Sequence, residues 1–102
     1  MAFIVRFTAA TEAHLCKHCA GDPGIQPHFV ERILNEAAPQ ILHEDRVEGR
    51  YLFEGCLACR PYRVVIEFAD EEGALVAYPV SAHRIKEKAF KKNLDRMARR
   101  FV

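Results

Sequence analysis

No run of apolar residues in this chain approaches the roughly 20 that a helix needs to span a bilayer, so neither a membrane helix nor a membrane partner is expected. The opening Met1-Ala2-Phe3-Ile4-Val5-Arg6 has no basic stretch and too short an apolar segment for a secretory leader. The cytoplasm is therefore the expected compartment, and thiols there stay reduced. Glycine is scarce, at 5 residues, and no Gly-rich stretch forms a phosphate cradle; P-loop, dinucleotide fingerprint and nucleophile elbow are all missing. Internal repeats, linkers and low-complexity tracts are missing too. The carboxylates do not gather into a metal-binding cluster, and the adjacent Glu71-Glu72 reads as a turn rather than a catalytic pair.

What is present points to one domain, residues 1–102. With 50% hydrophobic and 28% charged residues the composition is that of a globule and not of a disordered chain. A chain of this size buries a smaller share of its surface than a large one and gains from an added staple. The net charge of +1 conceals a division. Residues 1–81 hold 7 Lys/Arg against 12 Asp/Glu, a net of −5, whereas residues 82–102 hold 8 against 2, a net of +6. Either the tail packs on the acidic body and presents a solvated basic face, or that face, within residues 84–100, meets RNA, DNA or an acidic protein.

Along the chain, Phe3-Ile4-Val5-Arg6-Phe7 reads as a strand. Thr11 suits the N-cap of a helix that runs to about Cys19, and Ala20-Gly21-Asp22-Pro23-Gly24 breaks it. Phe29, Val30, Ile33, Leu34, Ala37 and Ile41 recur at helical spacing, which predicts a second helix from about Pro27 to Ala38, with Pro39 ending or kinking it. The period then changes. Val47 to Phe53, Tyr62 to Phe68 and Ala74 to Val80 read as three strands in an antiparallel meander, with Asp70-Glu71-Glu72-Gly73 as a turn. From Ser81 onward Ile85, Ala89, Phe90, Leu94, Met97 and Phe101 form the apolar stripe of a tail helix, which Ser81 would cap. The expected fold is α+β: a small antiparallel sheet of about four strands, two N-terminal helices and one C-terminal helix.

All four cysteines fall into two pairs of one spacing, Cys16-Lys17-His18-Cys19 and Cys56-Leu57-Ala58-Cys59. Two intervening residues let both sulfurs reach one metal at about 2.3 Å, and two such pairs complete a tetrahedral zinc site. The stretch Glu54 to Pro61, read as an eight-residue connection between strands, is long for a hairpin, and a metal knuckle at its tip would order it. With 36 residues between the pairs, such a site would tie the first helix to the hairpin tip. A closed four-ligand site is structural, not catalytic. Two other readings stand beside zinc: one Cys-x-x-Cys pair as a redox dithiol, or four incidental thiols. His14, His18 or His83 is an alternative ligand for one thiolate position.

His14 and His18 lie about 40° apart on a helix, on a different side from Cys16 and Cys19. They are either two surface residues or a proton-transferring pair, with Lys17 adding a cationic corner for a phosphate. Tyr51, Arg63, Tyr78, Ser81, His83 and Arg84 are further polar candidates on or beside the predicted strands.

Taken together, Ala13-His14-Leu15-Cys16-Lys17-His18, the following helix, Tyr51, Tyr62-Arg63-Val64-Val65-Ile66 and Leu75-Val76-Ala77-Tyr78 resemble the small phage and toxin-type ribonuclease domains of the barnase–EndoU–colicin–RelE group. The resemblance spans roughly residues 9 to 86. It implies a helical N-terminal part against a curved antiparallel sheet, and metal-independent RNA cleavage by a base, a cation and an acid. On this chain it implies His14 or His18 for proton exchange, Arg63 and Arg84 for phosphate, and Tyr51 beside them. Related domains often carry a threonine where this chain has Val76, and the lost hydroxyl leaves a diverged, catalytically silent member as an alternative. The expectation is thus a zinc-stabilised, toxin-like domain that binds or cleaves RNA. The competing one is a non-enzymatic zinc module whose basic tail helix docks a protein or nucleic acid.

Overall fold

The computed structural model describes residues 4–18 and 25–99, with side chains left out for residues 14–18. The elements in order are β1 (Ile4–Val5), α1 (Ala9–His18), α2 (Pro27–Glu36), β2 (Gln40–Glu44), β3 (Arg50–Leu57), β4 (Arg60–Glu71), β5 (Ala74–Arg84) and α3 (Glu87–Arg99). The fold is α+β, as expected, but the sheet has five strands in the order β1-β5-β4-β3-β2. β2 to β5 form an antiparallel meander, and β1 adds in parallel to β5, which makes the sheet mixed.

Local chemistry explains the elements. The cap of α1 is Thr8, not Thr11: the Thr11 amide donates to Thr8 Oγ1 at 3.1 Å, and the Thr8 amide donates back to Thr11 Oγ1 at 2.8 Å. Helix α2 starts on Pro27, whose missing N–H is no loss in a first turn. It ends at Glu36, so Ile41 belongs to the unexpected strand β2 instead of continuing the helical stripe. Strand and helix share an apolar residue at that position, and periodicity alone does not separate them.

Two further expectations are corrected. The Glu54–Pro61 connection is not an eight-residue loop. β3 and β4 run on through it, leaving Ala58-Cys59 as a two-residue turn. Both turn residues have positive φ, 53° and 64°, the signature of the type I′ hairpin turn. Ser81, His83 and Arg84 do not open the tail helix, because β5 extends through Arg84 and α3 begins at Glu87.

Helix α2 covers one face, where Val30, Ile33 and Leu34 pack fully buried against Phe53, Val64 and Ile66. Gly55 belongs to this contact: a Cβ there would meet Ala37 Cβ at 2.5 Å, so only glycine lets α2 close on β3. Helix α3 covers the opposite face, with Phe90 buried, and α1 lies against β5. Among the described residues, no helix is long and apolar enough to cross a membrane.

Candidate functional site

Side chains alternate across a strand, so the register decides which residues meet under α3. Glu54 of β3 pairs with Ile41 of β2 on one side and with Arg63 of β4 on the other, and Arg63 in turn pairs with His83 of β5. His43, two residues beyond Ile41, shares their face. This places a carboxylate, a guanidinium and two imidazoles on the α3 side of the sheet.

Glu54 is the one buried charged residue of the described core, at 0% exposure. An isolated carboxylate there would be costly, and the sequence supplies three partners. His43 Nε2 lies 2.7 Å from Oε2, Asn93 Nδ2 of α3 donates at 2.9 Å and 3.1 Å to the two oxygens, and Arg63 Nη2 stands 3.5 Å away. An ionised carboxylate only accepts, so the His43 Nε2–H donates to it. Arg63 Nε is buried without a hydrogen-bond partner. The pKa of His83 is held below the ordinary histidine value by burial first and by the Arg63 guanidinium second, with the Glu54 charge pulling the other way. Beside the cluster a shallow recess opens between β2 and α3, lined by Ile41, His43, Asn93, Arg96 and Met97.

The outer side of α3 is a second feature. Phe90, Asn93 and Met97 point to the sheet, and at 100° per residue Lys88, Lys91, Lys92 and Arg99 fall on the opposite arc, with Arg96 on its flank beside the recess. All five are exposed. Asp95 interrupts the arc and Lys91 pairs with Glu87 at 3.4 Å, but among the described residues no salt bridge engages Lys88, Lys92, Arg96 or Arg99.

The expected site residues scatter. Arg63 stands in the Glu54 cluster. Tyr51 is on the opposite face, its ring 5.3 Å from that of Phe68. Arg84 pairs with Tyr62 and so shares that opposite face, exposed. The side chains of His14, His18 and Cys16, and Cys19 entirely, lie outside the described residues. Cys56 is half-buried on the α3 side and Cys59 is exposed in the turn, both as free thiols. Among the described residues no group of three or more His, Cys, Asp or Glu is placed to hold a metal. Val76 is fully buried, so the side chain at that position faces no open cleft.

Glu54, His43 and Asn93 had no place among the expected site residues, whereas the basic Arg96 belongs to the face within residues 84–100 expected to meet a partner. Glu54 was readable in principle as a carboxylate in the alternating pattern Leu52-Glu54-Cys56, but only once β3 was known to continue past Phe53. His43 and Asn93 carried no local signal. No family model matches this chain, and no curated protein matches it.

Proposed function

We propose that this domain binds RNA through the outer face of α3, on a fold braced by a four-cysteine zinc site. The observation that carries the first part is the arc of exposed cations, Lys88, Lys91, Lys92 and Arg99 with Arg96 on its flank, most of them without an acidic partner. Such an arc neutralises phosphates and releases their counterions, which supplies affinity with no sequence requirement. The helix that bears it is seated on the sheet by Phe90 and by the Asn93–Glu54 hydrogen bonds, so the arc is presented on a fixed element.

Binding is favoured over cleavage by the placement of the expected catalytic groups. Arg63 is engaged with Glu54, while Tyr51 and Arg84 lie across the sheet, so these three do not share a cleft. The test is charge reversal on the exposed arc. Lys88→Glu, Lys92→Glu and Arg99→Glu together should weaken binding of a short single-stranded RNA by at least roughly tenfold at moderate salt. Equal binding by wild type and variant would remove α3 from the reading.

The zinc part rests on the thiols and on the turn. Cys56 and Cys59 flank or occupy a hairpin turn in which neither positive-φ residue is glycine. The left-handed conformation costs about 1–2 kcal/mol per residue, and a metal held by the two thiolates would offset it. Elemental analysis of protein purified without chelator should give near one zinc per chain. Four titratable thiols and no zinc would favour the redox or incidental-thiol readings.

A further inference from the structure

We infer that the notch on the outer side of α3 where Asp95 meets Lys92, Arg96 and Arg99 is a subsite for one guanine of the bound RNA. The inference rests on the RNA reading above and adds to it a source of selectivity that phosphate contacts lack.

These four residues line one recess, and all four are exposed. They stand at i, i+3, i+4 and i+7, on adjacent turns of the helix. At 100° per residue the three cations lie about 40° to 100° to one side of Asp95. The acceptor and the donors therefore border the recess from opposite sides. Lys92 and Arg99 are at the spacings that form helical ion pairs with Asp95. Among the described residues, however, neither an ion pair nor a side-chain hydrogen bond engages its carboxylate.

A carboxylate within an arc that meets phosphates opposes them by like charge, so Asp95 adds nothing to sequence-independent affinity. Its oxygens only accept, and what an RNA offers them is N–H and O–H donors. Guanine alone among the four bases presents two adjacent donors on its Watson–Crick edge, N1–H and the N2 amino group. A carboxylate takes such a pair in parallel, as it takes the fork of an arginine. The O6 acceptor lies beside them and complements a lysine or an arginine. Cytosine and adenine each bring one amino group next to a ring nitrogen whose lone pair would face the carboxylate. Uracil brings one N–H between two carbonyls. Arg96 and Arg99 add guanidinium planes against which an unstacked base rests. Lys88, one turn before Lys92, is placed for a flanking phosphate.

Three fluorescein-labelled RNA octamers test this on the full chain and on Asp95→Asn: oligouridylate, the same strand with one central guanosine, and the same strand with inosine there, which lacks the N2 amino group. The guanosine strand should bind the unmodified protein about tenfold tighter than either of the others, the scale of a bidentate base contact. Asp95→Asn should lose that preference while binding oligouridylate at least as tightly, because a like charge has gone. Equal binding of the three strands overturns the guanine subsite and leaves the RNA reading on phosphate contacts alone. A preference that survives in Asp95→Asn overturns the role of Asp95. Free guanosine monophosphate binding as tightly as the guanosine strand overturns RNA as the source of the base. No binding of any strand overturns the RNA reading and the subsite together.

Discussion

Glu54 is the residue on which the α3 side of the sheet depends. Its carboxylate is taken out of water and is repaid by His43, Asn93 and Arg63, so removing it leaves three polar or cationic partners facing a gap. Glu54→Ala should lower unfolding stability by about 3 kcal/mol, the scale for breaking a buried pair from one side, as read by denaturant titration. A change near zero would mean that the cluster is already well solvated. His83 gives a pH signature of the same cluster. Its folded-state pKa is lowered from 6.5, so below that pH the unfolded chain takes up a proton that the folded chain resists. Stability should therefore fall as pH drops from about 6.5 toward the lower folded value, and His83→Gln should flatten that part of the profile. An unchanged profile in the variant would assign the dependence to other groups. Little of this was legible in the sequence, because which polar side chains meet across a sheet is set by strand register, and His43, Glu54 and Asn93 are far apart in the chain.

Elements were more legible than residues. Cap and breaker residues placed α1, and alternation and helical periodicity placed the other two helices and four of the strands near their observed positions. β2 was hidden because Ile41 fits the helical stripe of Phe29 to Ala37, and the end of β3 was hidden because Gly55, Ala58 and Pro61 read as loop. Gly55 is instead demanded by the approach of Ala37, and the turn is only Ala58-Cys59. That shorter turn removes the long-loop argument for a zinc knuckle and replaces it with one of backbone conformation. Cys59→Gly separates the two consequences. If the turn conformation alone mattered, glycine at φ 64° would stabilise the protein by about 1 kcal/mol. The zinc reading predicts the reverse: lower thermal stability together with loss of zinc.

At the scale of the whole molecule, the division of charge becomes a division of surface. Among the described residues the acidic residues of the body are spread over the first two helices, the strands and their turns, whereas five of the basic residues beyond residue 81 lie on α3. Net charge near zero thus coexists with a local positive field, and local field is what a polyanion meets within a Debye length. The sequence alone left two uses for the basic tail, solvated face or binding face. The structure adds that its apolar and basic residues occupy opposite sides of α3, with the basic side open. The most direct measurement is the affinity of the wild-type protein for a short single-stranded RNA as a function of salt. Engagement of three or four phosphates by the α3 arc predicts a log–log slope of roughly −2 to −3. Binding with a slope near zero, or no binding at low salt, would contradict it.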